Sequence, residues 1–117
     1  ATGVMATDQA LADALVVAGL ATGDRGWQLP LWDDYHEMVK SEIADLKNLA
    51  GRAAGSITAG AFLAAFAGDR KFAHLDIAGT AWLDAPTKPY HSKGGTGSGV
   101  RLVTEYLRNC STERLGN

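Results

Sequence analysis

Several features are scarce in this chain, and each shortage narrows the possible classes of protein. Cys110 is the only cysteine among 117 residues, so no internal disulfide can form and nothing indicates an oxidising compartment. No apolar run approaches the roughly 20 residues that a transmembrane helix needs, and no signal peptide is recognisable, which predicts a cytoplasmic protein without a membrane partner. The formal net charge of −2 gives no reason to expect nucleic acid as a partner.

Common catalytic signatures are missing as well. The sequence contains no His-Glu-x-x-His, no Gly-x-Ser-x-Gly and no Cys-x-x-Cys pattern. Its length allows one domain with a real core. The chain opens Ala1-Thr2-Gly3-Val4 without an initiator methionine, which is expected either of a processed start or of a piece of a longer polypeptide.

A helix signal stands near the amino end. Thr7 or Asp8 can accept hydrogen bonds from the free N–H groups of a helix over residues 8–22, where leucines and alanines recur at helical spacing. Gly23 can end that helix, because glycine adopts the left-handed conformation cheaply. An extended connection follows, because its proline disfavours helical geometry before it, and we expect Trp27 to be buried there.

Three more helices and one strand are predicted downstream. The helices cover residues 33–39, 57–66 and 99–108, with caps expected at Asp33 or Asp34, at Ser56, and at Thr96 or Ser98. The strand covers Phe72–Ala78 and precedes a long loop over residues 81–96. Residues 41–49 are ambiguous, and residues 51–55 are predicted to form a loop. The second of these helices is rich in small residues, so we expect it to be buried under a sheet.

This order of elements is typical of an α/β domain. A lone strand makes no sheet, so its partners are expected in Thr2–Ala6 and Ile43–Asn48 or in polypeptide outside this chain. The predicted domain covers residues 1–109, and a frayed polar tail is expected over residues 110–117.

Some side chains are candidates for chemistry, each with an ordinary alternative. His74 and Asp76 share one face of the predicted strand and could ligate a metal, although a structural pair is the favoured interpretation. The acidic cluster at the start of the second helix is better explained by capping and a solvated face. That cluster comprises Asp33, Asp34, His36 and Glu37.

The glycine-rich run Lys93–Gly99 resembles a phosphate-binding loop before a helix. Its lysine comes first, however, whereas the Walker pattern ends in Lys-Ser/Thr, so a tight loop is favoured. Arg52 could bind an anion or clamp its own loop. Cys110, at an expected helix end, has no basic partner nearby in sequence that would make it a nucleophile.

Three segments carry a resemblance to a known family. They are Gly23-Asp24-Arg25 with Trp27-Gln28-Leu29-Pro30-Leu31 and Tyr35; Gly51-Arg52 with Gly55-Ser56-Ile57-Thr58-Ala59-Gly60 and Phe62-Leu63; and His74-Leu75-Asp76-Ile77-Ala78-Gly79-Thr80-Ala81-Trp82. In this order they resemble the leucyl aminopeptidase family of bacterial type, also called cytosol aminopeptidase or aminopeptidase A. Gly94, Thr96-Gly97, Val100 and Leu102 fit too, and the resemblance covers about residues 1–108.

The resemblance implies a fold and an activity. The fold is the C-terminal portion of a three-layer α/β/α catalytic domain with a mixed central sheet, incomplete in this chain. The parent enzyme would be a homo-hexamer whose active sites face an interior cavity. Two divalent metal ions, zinc, manganese or magnesium, would bridge a hydroxide that attacks the peptide bond after a free N-terminal residue, preferably leucine.

The same resemblance limits what this chain can contribute. The family's metal ligands and catalytic arginine lie N-terminal to the matched stretch. Thr7–Leu15 superficially resembles the family's Asn-Thr-Asp-Ala-Glu-Gly-Arg signature, which supplies two metal ligands and the catalytic arginine. The Glu-Gly-Arg is absent here, however, and the Gly-Asp-Arg-x-Trp sequence that follows matches this segment to a later helix of the family. No catalytic residue and no metal ligand therefore transfers, and the isolated chain is expected to be inactive.

What transfers is part of a substrate pocket. By resemblance, Ala78 and Ala81 line the pocket for the N-terminal side chain, and Leu49 helps to line the next subsite. Core packing is the alternative for all three. Two further hypotheses stand beside the aminopeptidase: a non-catalytic folding and oligomerisation piece, and a phosphate-binding α/β domain that uses Lys93–Gly99.

Overall fold

The computed structural model describes residues 1–40 and 55–115, with side chains described as far as residue 113. Five strands and four helices occur in these ranges. In chain order they are β1 (Thr2–Ala6), α1 (Gln9–Thr22), β2 (Gly26–Gln28), α2 (Asp33–Met38), α3 (Gly55–Ala64), β3 (Ala73–Asp76), β4 (Trp82–Leu83), β5 (Gly94–Gly95) and α4 (Val100–Leu115). No helix in these ranges is long and apolar enough to cross a membrane.

The main sheet is mixed, as the sequence predicts. Its strand order is β2-β1-β3, with β1 parallel to β2 and antiparallel to β3. A parallel pair needs a crossover connection, and α1 supplies it. The predicted strand at Thr2–Ala6 is therefore confirmed as the central strand, whereas Ile43–Asn48 lies outside the described residues.

Helices cover both faces of this sheet. Val4 packs with Leu15 of α1 and Leu102 of α4 in the core, while a Cβ at Gly60 of α3 would lie 3.2 Å from the sulfur of Met5. Neighbouring strand residues point to opposite faces, so α1 and α4 lie on one side and α3 on the other. The arrangement is the expected three-layer α/β/α architecture, and the small-residue helix is buried under the sheet as predicted.

Helix α1 forms where its end signals predict it. The carboxylate of Asp8 accepts a hydrogen bond of 2.9 Å from the Leu11 N–H, which satisfies a first-turn donor. Gly23 ends the helix at φ 70°. Within the helix, a Cβ at Gly19 would lie 2.8 Å from the Asp24 carbonyl oxygen and 2.9 Å from the Gly26 nitrogen, so the absence of a side chain lets α1 approach the backbone that leads into β2.

Three local expectations are wrong. Trp27 is 71% exposed, because β2 is an edge strand whose outer side no described element covers. No side chain caps α2: Trp32 is its N-cap, and Asp33 and Asp34 lie in its first turn, where negative charge interacts favourably with the helix dipole. Ser56 lies inside the first turn of α3 and so is not the residue before it; its hydroxyl acts instead on Asp76, whose pKa it lowers.

Other boundaries move. Helix α4 continues from the predicted end at Arg108 to Leu115, so Cys110 lies within a helix and residues 110–115 are not a frayed tail. The predicted loop over residues 81–96 contains the short β4–β5 pair. The start of the predicted loop at residues 51–54 and the ambiguous residues 41–49 lie outside the described ranges.

Candidate substrate-pocket turn

The candidate site is the turn that follows β3. The Ile77 carbonyl accepts hydrogen bonds from the Thr80 N–H at 2.9 Å and from the Ala81 N–H at 2.8 Å. This reversal brings together Ala78, which is exposed, and Ala81, which is half-buried. Neither is a fully buried core residue. Leu49, the third predicted pocket residue, lies outside the described residues.

Asp76 fixes the start of the turn. Its Oδ1 accepts a hydrogen bond of 2.9 Å from the Ala78 N–H, so the strand ends at Asp76 instead of reaching Ala78 as predicted. The Ser56 hydroxyl, and then this backbone N–H, lower the pKa of the Asp76 carboxyl, with a smaller electrostatic effect of His74. The carboxylate therefore stays charged and holds the turn between β3 and α3.

The His74–Asp76 pair shows no metal geometry. Asp76 accepts a hydrogen bond from the Ala78 N–H, and its pKa is lowered most by Ser56 and only through charge by His74. Among the described residues, no group of three or more His, Cys, Asp and Glu side chains could hold a metal ion. The pair is a structural feature of the strand end, which is the favoured interpretation of the sequence, although the partner of Asp76 is Ser56.

The far side of the turn is held by the segment before α4. Thr96 Oγ1 donates to the Thr80 carbonyl at 2.6 Å, and Ser98 Oγ donates to the same oxygen at 2.9 Å. The Thr96 N–H donates to the Ala81 carbonyl at 2.9 Å. The two hydroxyl oxygens are 3.0 Å apart. Both ends of the turn are thus tied to other parts of the fold.

Sequence reasoning missed this anchoring role of Thr96 and Ser98. It assigned both hydroxyls to capping of α4, but a first-turn donor of that helix, the Leu102 N–H, bonds the buried carboxylate of Asp24 at 3.3 Å. The contact between Thr96 and Thr80 spans sixteen positions, and no pattern of neighbouring residues predicts it.

The glycine-rich run is a tight connection, which is the favoured interpretation. Gly94, Gly97 and Gly99 have φ values of 109°, 68° and 87°, a region that side chains rarely adopt. The hydroxyl hydrogens of Thr96 and Ser98 are directed to a protein carbonyl, so they are not donors for a phosphate.

The remaining candidates have ordinary roles or cannot be placed. Asp33, Asp34 and Glu37 are exposed on α2, and Glu37 pairs with Lys40. Cys110 is half-buried in α4. Arg52 lies outside the described residues.

Comparison with known proteins assigns this chain to a family. The model of the cytosol aminopeptidase family, catalytic domain, matches residues 1–104. A probable cytosol aminopeptidase of Roseiflexus castenholzii is 62% identical over 109 residues, which is 93% of this chain and 22% of that protein. One from Geobacter sulfurreducens is 57% identical over 106 residues, covering 91% of this chain and 21% of that protein.

Two solved structures match the fold of this chain. The cytosol aminopeptidase of Coxiella burnetii matches 92% of this chain and 23% of its own, at 40% identity and a TM-score of 0.80. The bottromycin maturation enzyme BotP, in complex with Mn, matches 94% of this chain and 24% of its own, at 33% identity and a TM-score of 0.86.

These matches define an aminopeptidase catalytic-domain fold. The chain belongs to the cytosol aminopeptidase family. It spans about a fifth of the length of the curated relatives that it matches.

Proposed function

We propose that this chain acts as part of a metal-dependent aminopeptidase that releases N-terminal residues, preferably leucine, from peptides. The observation that carries the proposal is the turn of Ala78 and Ala81, fixed at both ends and situated within the segment that the family model matches. Ala78 and Ala81 would line the pocket for the N-terminal side chain. Leu49 would contribute to the next subsite.

The geometry of the turn suits such a pocket. Two methyl side chains leave room for a leucine-sized group, and apolar lining favours an aliphatic one. A rigid turn also preserves the shape of the pocket when no substrate is bound, so less order has to be gained on binding.

The family uses divalent metal ions, and the described residues of this chain do not fit a metal site. Because the family's metal ligands lie N-terminal to the stretch that this chain resembles, we assign the two ions, manganese, zinc or magnesium, to residues outside this chain. This chain would supply substrate positioning, and no metal-dependent step is assigned to its side chains. On the same family grounds, we propose a cytoplasmic homo-hexamer that acts on peptides, and the net charge of −2 gives no reason to expect nucleic acid as a partner.

Hydrolysis of leucine p-nitroanilide tests the proposal. The 117-residue chain with added manganese should be inactive, and the complete polypeptide that carries this sequence should be active with at least one of the three metals. Activity of the short chain would show that its own residues bind the metals. If the complete polypeptide assembled but stayed inactive with every metal, the aminopeptidase proposal would fail in favour of a non-catalytic oligomerisation piece.

A further inference from the structure

A second concave site adjoins the turn and is lined in part by Gly79 and Thr80. It is a cavity of about 170 Å³ between the segment that follows α1, the segment around Lys88–His91 and the start of α4. Its lining combines basic side chains with one acidic group. The charged and titratable residues that line it are Asp24, Arg25, Lys88, His91 and Arg101.

Among the described residues, no ion pair neutralises the positive charges at this cavity. The ion pairs within residues 1–40 and 55–113 are Glu37–Lys40, Asp8–Lys71 and Glu105–Arg108. None of them includes Arg25, Lys88 or Arg101. The described lining therefore carries an excess of positive charge in a chain whose formal net charge is −2, and an anion bound among these side chains would reduce their mutual repulsion.

Two of the cations are positioned by an aromatic ring. Lys88 Nζ and Arg101 Cζ each lie 5.4 Å from the centroid of the Tyr90 ring. The His91 ring packs edge-on against the same ring, with centroids 4.8 Å apart. A cation–π contact orients an ammonium or guanidinium group but leaves its N–H donors available to an oxyanion.

The one acidic side chain that lines the cavity already accepts a hydrogen bond from the backbone. The buried Asp24 carboxylate accepts the Leu102 N–H at the start of α4, so it neutralises the helix end instead of extending to the basic side chains as an ion-pair partner. Thr96 and Ser98 also line the cavity, but they donate to the Thr80 carbonyl. The donors for a ligand are therefore the guanidinium groups and the ammonium group, with His91 contributing only through Nε2, because its Nδ1 lies 3.1 Å from the Thr87 hydroxyl.

We propose that this cavity binds a small oxyanion of the phosphate class, held by Arg25, Lys88 and Arg101. Guanidinium groups bind phosphate oxygens in pairs, and a lysine adds a compact charge. The volume suits a phosphate group and not a whole nucleotide. This site differs from the glycine-rich loop considered in the sequence, because side-chain cations carry it, and it does not depend on aminopeptidase activity.

The proposal is tested by calorimetric titration of inorganic phosphate into the complete polypeptide that carries this sequence. We expect Arg101→Gln and Lys88→Gln each to weaken binding at the cavity about tenfold or more. The control is Arg70→Gln, which removes the same charge at an exposed position away from the cavity and should leave binding unchanged. Bound metal ions also attract phosphate, so the difference between the Arg101 and Arg70 variants is the deciding quantity.

A parallel titration with phosphoserine separates two sources of the same chemistry. Tighter binding of the ester indicates a phosphorylated ligand, and equal binding indicates free phosphate; both support the site. Two results overturn it: no phosphate binding, or binding that is equally strong in the Arg101 and Arg70 variants. Because Lys88→Gln changes a loop residue outside the helices, its loss of binding stays informative if Arg101→Gln perturbs α4.

Discussion

Thr96 Oγ1 lies 2.6 Å from the carbonyl oxygen of Thr80, in the middle of the turn between Ala78 and Ala81. The contact joins the segment before α4 to the turn after β3, which are sixteen positions apart in the chain. Ser98 donates to the same oxygen. A carbonyl that accepts two hydroxyls is held in one orientation, so the peptide plane of Thr80, and with it the turn, has little freedom.

Removing this anchor should affect substrate binding. In the complete enzyme, Thr96→Val deletes the shorter of the two hydroxyl bonds, and a neutral hydrogen bond contributes roughly 0.5–1.5 kcal/mol. We expect KM for leucine p-nitroanilide to rise about 2- to 10-fold with kcat nearly unchanged.

The control for that variant is Thr104→Val. Its hydroxyl donates at 2.7 Å to the Val100 carbonyl within α4 and is exposed. An equal change of KM in both variants would show that the Thr96 bond does not position the turn.

The size of the pocket is tested at Ala78. Ala78→Phe places a ring on the exposed side of the turn, where the leucine side chain is proposed to bind. We expect kcat/KM for leucyl substrates to fall about 100-fold or more, while the metal content is unchanged. Ala85→Phe, at an exposed position beyond β4, is the matched control. Unchanged leucyl turnover in the Ala78 variant would refute the assignment.

Sequence patterns predicted those elements whose determinants are local. Asp8 and Gly23 lie at the two ends of α1 and satisfy its backbone groups from within a few residues. The expected burial of Trp27 is wrong because the exposure of a side chain on an edge strand depends on which other elements cover that strand. The Thr96–Thr80 contact depends on the β4–β5 pair, which is only two residues long on each side and has no alternating pattern to detect. The pocket alanines came from family resemblance, since an alanine by itself carries no chemical signal.

Acid stability should depend on Asp8 and Asp76. Hydrogen bonds from the Leu11 N–H and Lys71 lower the pKa of Asp8, and Ser56 and the Ala78 N–H lower that of Asp76. A lowered folded-state pKa adds stability above the unfolded value of about 4, and this stability is lost as pH falls through the folded-state pKa.

The variant Asp8→Asn isolates one of these contributions. Asparagine keeps the capping oxygen but cannot titrate, so the free energy of unfolding should fall less steeply below about pH 4 than in the wild type. Asp84→Asn, at an exposed loop position, provides the comparison. Urea denaturation at several pH values measures the free energy of unfolding of both variants. If this free energy fell equally steeply with falling pH in the wild type and in the Asp8 variant, Asp8 would not contribute to acid stability.

The close approach of α1 to β2 gives a stability prediction. At Gly19, an added methyl would meet two backbone atoms, the Asp24 oxygen at 2.8 Å and the Gly26 nitrogen at 2.9 Å. Backbone cannot rotate away as a side chain can, so Gly19→Ala should lower the free energy of unfolding by about 1–3 kcal/mol. Gly55→Ala has no atom within 4 Å of the new methyl and should be nearly neutral in the same denaturation experiment.

The exposed apolar surface predicts how the 117-residue chain behaves by itself. Leu20, Trp27 and Trp82 are 60%, 71% and 65% exposed, and β2 and β3 are the two edges of the described sheet. Open strand edges and large apolar side chains favour association, so sedimentation should show self-association or poor solubility. Trp27→Arg should increase the monomer fraction, whereas Ala21→Arg, also at an exposed position, should change it little. A stable monomer at all concentrations would mean that these surfaces need no covering by further polypeptide.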